Sequence, residues 1–146
     1  MDKKLVVLIF LILASTVVIY SYFTNGITIV RKDVITDFSG TSVVNKPESE
    51  EDYLIKYKNE NFSISKFIFL NSNVASSFYD EFLSAANESY TNEESINIKE
   101  YFGLIVKSLE IERAGIIIKK NNIVIIATGK EKESLIKVVE WFIENY

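Results

Sequence analysis

The side chains that most often do chemistry are scarce in this sequence. It has no His and no Cys among its 146 residues. That removes the imidazole base, the Ser-His and Cys-His nucleophile pairs, disulfides, and the zinc or iron–sulfur sites built on those ligands. Carboxylates, lysines, serines and tyrosines remain, and their spacing decides whether any could work together. Two Ser-x-x-Lys matches occur, Ser63 to Lys66 and Ser134 to Lys137, a spacing used where a Lys amine activates a Ser hydroxyl. With 15 Ser and 14 Lys in the chain, about 1.4 such pairs arise by chance, and the Ser-Asp-Asn and Lys-Thr-Gly partners of that chemistry are absent. Around Ser63 a strand is expected, where i and i+3 point to opposite faces and hold the two groups apart.

Carboxylate pairs come next. Asp80/Glu81 and Glu93/Glu94 are adjacent, and Glu110 and Glu112 share one face of an expected strand. General acid–base work needs two carboxylates in different surroundings, facing each other across a cleft. Same-face neighbours beside Lys107 and Arg113 read instead as a solvated charged ladder. The run Glu48 to Asp52 lacks the alternating oxygens and central Gly of a calcium loop, and reads as a solvated linker. Gly129-Lys130 falls at an expected strand–turn–helix junction, but Val124 and Glu131 stand where a phosphate-binding loop needs a Gly and a Ser or Thr. No cofactor and no metal site is expected, and the chain leans away from an enzyme.

Two further sets of residues could meet other molecules. Asn61-Phe-Ser63 and Asn87-Glu-Ser89 are glycosylation sequons, so Asn61 and Asn87 are acceptors if the domain is exported by a host that modifies Asn. Ten Phe and eight Tyr mostly fall on expected core positions. Trp141, Tyr146 and the Tyr101-Phe102 pair are the best candidates for an exposed partner surface.

The elements that would carry these residues begin with a membrane signal. Leu5 to Phe23 runs without a charged side chain. As a helix it spans about 28 Å, close to the hydrocarbon thickness of a bilayer. Tyr20, Tyr22 and Phe23 fall where aromatic rings prefer the headgroup layer. Lys3 and Lys4 precede the segment, and no clear small-x-small site follows its apolar core, so an uncleaved signal anchor is expected rather than a cleaved leader. The adjacent amino-terminal charges, with a long domain behind, place the amino terminus inside and the domain outside. Secretion after cleavage is the alternative.

Beyond the anchor the chain is acidic. Of the 16 basic and 20 acidic side chains, only Lys3, Lys4 and Asp2 precede it, and that balance argues against a nucleic-acid binder, which needs a basic face. Residues 1–4 are thus a short tail, 5–23 a transmembrane helix, 24–52 a juxtamembrane strand and linker, and 53–146 an extracytoplasmic domain. Within 24–52, Gly26 to Val30 reads as a strand or stalk, and Thr36 to Asp52 as a loop. Tyr53, Ile55 and Tyr57 alternate with polar residues as in a half-buried strand, and Phe62 to Leu70 forms its hairpin partner across Asn59-Glu60-Asn61.

Asn71-Ser-Asn73 offers capping acceptors for a helix over Val74 to Asn87 with one apolar arc. After the polar stretch Asn87 to Ser95, the pattern predicts strands at Ile96 to Ile111 (bent near Gly103), Gly115 to Lys119 and Asn122 to Ala127. A closing helix follows over Lys130 to Asn145, with Leu135, Val138, Val139 and Phe142 as its stripe. The order β-β-α-β-β-β-α is an α+β domain: an antiparallel sheet with two amphipathic helices on one face. The function expected is a non-enzymatic, membrane-tethered module that binds a membrane or extracytoplasmic protein partner or serves as an accessory subunit. The alternative is a small-ligand domain with a pocket of several hundred Å³ between sheet and helices.

Overall fold

The computed structural model of the chain describes residues 9, 11, 12, 26–41 and 44–146. The expected membrane span over 5–23 therefore lies outside the described residues, apart from Ile9, Leu11 and Ile12. Among the described residues no helix is long and apolar enough to cross a membrane.

Seven strands and two helices follow in the order β1 (Thr28–Ile35), β2 (Ser49–Tyr57), β3 (Glu60–Ile68), α1 (Ser72–Ala86), β4 (Tyr90–Ile98), β5 (Tyr101–Ser108), β6 (Ala114–Lys120), β7 (Ile123–Gly129) and α2 (Lys132–Asn145). The strands form one sheet in the order β1-β2-β3-β7-β6-β5-β4, antiparallel at every pairing. Two hairpins lead to β3. Helix α1 then carries the chain over the sheet to its far edge, and the meander β4 to β7 returns to close against β3. The architecture is α+β, as the patterning predicts.

The alternation in β2 is realised, with Tyr53, Ile55 and Tyr57 all buried. They meet Phe62 and Ile64 of β3 and the α2 stripe Leu135, Val138, Val139 and Phe142 in one core. Asn71 caps α1 by accepting the Val74 N–H at 3.0 Å, which satisfies one donor left open at a helix start.

Four expectations are corrected. First, the helices lie on opposite faces of the sheet, not on one. Ile116, Ile118, Ile125 and Ala127 pack with α2, whereas Val124 and Ile126 pack with α1. The physical reason is in the central strands: Ile116-Ile117-Ile118 and Ile123 to Ile126 are apolar at every position, the mark of strands covered on both sides.

Second, the sheet takes in Thr28–Ile35 and Ser49–Tyr57, so the folded unit starts before residue 53, and most of the acidic run is strand rather than linker. Third, the stretch read as one strand bent near Gly103 is a hairpin, and the polar stretch before it already belongs to strand β4. Its turn, Lys99-Glu100, has both residues at positive φ (51° and 68°), as has Lys58-Asn59 between β2 and β3 (49° and 61°). That conformation matches the twist of flanking strands. Gly103 is instead required by close approach, since a Cβ there would collide with the Ile117 carbonyl oxygen on β6. Fourth, Glu110 and Glu112 are not strand neighbours but lie in the exposed loop between β5 and β6.

Candidate functional site

The pleat of β2 sorts the acidic run. Glu51 points to the α2 face, where the Tyr53 hydroxyl donates to it at 2.9 Å, and Lys32 and Lys66 lie 3.7 and 4.0 Å away. Its charge is balanced there, and Lys66 also donates to the Tyr146 carbonyl oxygen at 3.0 Å, tying the last residue to the sheet. Hydrogen bonding to Tyr53 and the charge of Glu51 raise the Lys32 ammonium above its usual range.

Glu50 and Asp52 point the other way, onto the α1 side but beyond the strands that α1 covers. Asp52 stands opposite Asp33 on β1 and Ser65 on β3 and accepts the Ser65 hydroxyl at 2.5 Å. Asp33 is paired with Arg31 at 3.0 Å. Burial first, then the charge and hydrogen bonding of Asp52, push the Glu50 carboxyl up to about 7. The pair lines a shallow depression of about 250 Å³ together with Arg31, Leu54, Ser63 and Ser65.

Chemically this is a carboxylate pair that holds a proton near neutrality, on an open polar strip of sheet. The two groups are neighbours two positions apart on one strand. Among the described residues no second wall faces them, so a reacting bond has no place there between acid and base. The strip suits reversible contact better than turnover. Sequence reading missed it because the run resembles a solvated linker; the signal that could have found it is Tyr53-Leu-Ile-Lys-Tyr57, whose alternation continues backward through Glu51.

The other candidates separate. Ser63 lines the depression on the α1 side, while Lys66 reaches Glu51 and Tyr146 on the α2 side, so that Ser-x-x-Lys pair is split as the strand geometry requires. Ser134 is a buried residue of α2 itself, and Lys137, one turn on, lines a surface hollow with Ile27, Tyr57 and Trp141. Gly129 ends β7, where a Cβ would run into the Phe62 ring, and α2 begins just beyond. Asn61 and Asn87 are both exposed, Asn61 opposite Lys56 beside the β2–β3 turn and Asn87 at the end of α1.

The four aromatic contact candidates do not share one patch. Trp141 and Tyr146 are neighbours, with ring centroids 5.8 Å apart, and Tyr146 is exposed yet stacked on Phe142 at 5.5 Å. Tyr101 packs against the α2-side core with the Lys120 ammonium 5.7 Å from its ring. Phe102, next along β5, turns to the opposite face and is 60% exposed. Between α1 and the sheet the cavity amounts to about 50 Å³, lined by Phe82, Val106, Ile117 and Ile126 among others. That is far short of the several hundred Å³ a small organic ligand occupies. Among the described residues no three His, Cys, Asp or Glu side chains gather as a metal site.

No protein-family model and no curated protein sequence matches the chain. A solved structure does: the extracellular domain of PknH from Mycobacterium tuberculosis is similar over 81% of this chain and 83% of its own, with a TM-score of 0.51 and 7% identity. At that identity the likeness is one of fold.

Proposed function

We propose that the chain is a membrane-anchored extracytoplasmic module that acts by holding a protein partner, or as an accessory subunit, at the membrane surface. Residues 5–23 form the anchor and the α+β domain projects outside the cytoplasm. Tethering confines the domain to two dimensions and raises its effective concentration near a membrane partner. The observation that carries this reading is the distribution of packing. Among the described residues the space between α1 and the sheet is only about 50 Å³, and the hollow of about 510 Å³ between Tyr57 and α2 opens at the surface, while the polar strip over β1 to β3 stays open beside α1. The fold likeness to an extracellular domain is compatible with it.

Protease added to intact cells or spheroplasts tests the orientation: digestion of the domain supports it, and full protection overturns it. Crosslinking in native membranes with mass spectrometry tests the partner, because recovery of the monomer alone would count against a docking role. Modification of Asn61 or Asn87 belongs to the same proposal and is read from the intact mass.

A further inference from the structure

We infer that one end of the sheet, tipped by the Leu109–Arg113 loop, rests on the headgroup layer of the bilayer that anchors the chain. This rests on the membrane-anchored reading and adds an orientation to it. The first argument is the length of chain between the apolar segment and the fold. Ile27 is 2% exposed and belongs to the α2-side core. Phe23 precedes it by four residues, which reach at most about 14 Å when fully extended. The end of the sheet that holds Ile27 cannot lie far from the membrane.

Register identifies what else lies at that end. Thr28 stands opposite Lys56, next to the Lys58-Asn59 turn. Ser63 just beyond that turn stands opposite Thr128. Gly129 in turn opposes Ala114, and Ala114 opposes Lys107. The β5–β6 loop is therefore at the same end as Ile27, with β6 four strands from β1, or about 19 Å at ~4.8 Å per strand. Tether and loop would make two separate contacts and fix the tilt of the domain.

The loop is built for such contact. Leu109 and Ile111 are each 60% exposed at its tip. The backbone is nevertheless held: Ser108 N–H donates to the Arg113 carbonyl oxygen at 2.9 Å and Leu109 N–H to that of Ser89 at 3.0 Å. The Ser108 hydroxyl accepts from the Glu110 and Ile111 amides at 3.4 Å. Two bulky apolar side chains are thus displayed on an ordered turn, which lowers the entropic cost of inserting them. Beside the loop a hollow of about 410 Å³ is lined by Lys107, Arg113, Lys130 and Lys132 against Glu112 and Glu131. Lys132 is also paired with Glu94 at 3.1 Å, so an excess of one cation, Lys107, Arg113 and Lys130 over Glu112 and Glu131, is left to complement phosphate-bearing headgroups, while Leu109 and Ile111 suit the boundary with the acyl chains. The apolar groups Leu70 and Phe102, also exposed, sit toward the opposite end and would face away from the membrane.

The absence of Cys makes the test clean. The full chain carrying Ile111→Cys or Phe102→Cys is labelled with a polarity-sensitive fluorophore and reconstituted in phosphatidylcholine vesicles containing phosphatidylglycerol and an acyl-chain quencher. Quenching at 111 is expected to exceed that at 102 several-fold. The label at Glu110→Cys should lose its quenching when Leu109→Ser and Ile111→Ser are added. Vesicles without phosphatidylglycerol should quench less, and equal quenching would overturn the role given to the cationic hollow. Equal quenching at 111 and 102, in protein that resists an alkaline wash, overturns the orientation and leaves the anchor standing. Protein that washes off the vesicles overturns both.

Discussion

The two faces of the sheet are packed very differently. On the α2 side the core is continuous from Ile27 at the edge strand to Phe142 in the closing helix, and most of its members are wholly buried. On the α1 side, among the described residues, Phe69, Ala75 and Val124 are fully buried and Ile117 and Val106 nearly so, with Phe67, Phe78, Tyr79 and Ile126 half-covered around them. Beyond α1 the same face displays Arg31, Asp33, Glu50, Asp52, Ser63 and Ser65. An antiparallel sheet can be stable with one face partly open to water. Here one face supplies the stability and the other is left partly bare.

The comparison can be broken by truncation. Phe142→Ala, in the closed core, should cost about 3–5 kcal/mol, the usual range for a buried Phe, whereas Phe78→Ala on the half-covered face should cost about half as much. Urea midpoints of the two variants measure this, and equal losses would erase the distinction. Asn71→Ala removes the α1 cap and should cost about 1 kcal/mol, with the loss concentrated in α1 rather than spread over the domain.

The bare strip should also respond to pH. Glu50 is raised from the ordinary carboxylate range to about 7, so between those values the folded state holds a proton that the unfolded state has released. Its contribution to stability is fully present below about pH 4.5 and fades as pH rises through 7. Because the group is only half-buried at the sheet surface, solvent screening should keep the effect to ~1 kcal/mol or less. Glu50→Gln should flatten that part of the stability–pH curve; an unchanged slope would contradict the shared-proton pair.

Much of the fold is legible in the residue pattern, and the failures share a cause. The Tyr53 to Tyr57 alternation and both helix stripes reflect half-buried surfaces, where periodicity records which side is wet. Periodicity is silent when both sides are dry, as in Ile116 to Ile118, and there the second covered face went unread. It is equally silent when both sides are wet. Tyr90 to Ile98 is an edge strand whose Thr91, Asn92 and Ser95 look like loop, and Lys99-Glu100 turns the chain without the Gly or Asn that announces a hairpin. The depression at Glu50 and Asp52 was illegible for the same reason, since its strand is polar on both faces at that end. The partner surface expected at Tyr101, Phe102, Trp141 and Tyr146 could not be assembled from composition, because the pleat and the sheet order decide which aromatics meet.

Native-state amide exchange tests the unequal faces most directly. In α2 the amides of Val138 to Phe142 should exchange only through global unfolding, with the full denaturant dependence of the whole domain. Those of Ser77 to Phe82 in α1 should exchange through a smaller opening at lower free energy, because fewer buried contacts hold that helix down. Exchange of both helices at the same free energy and with the same denaturant slope would contradict the account.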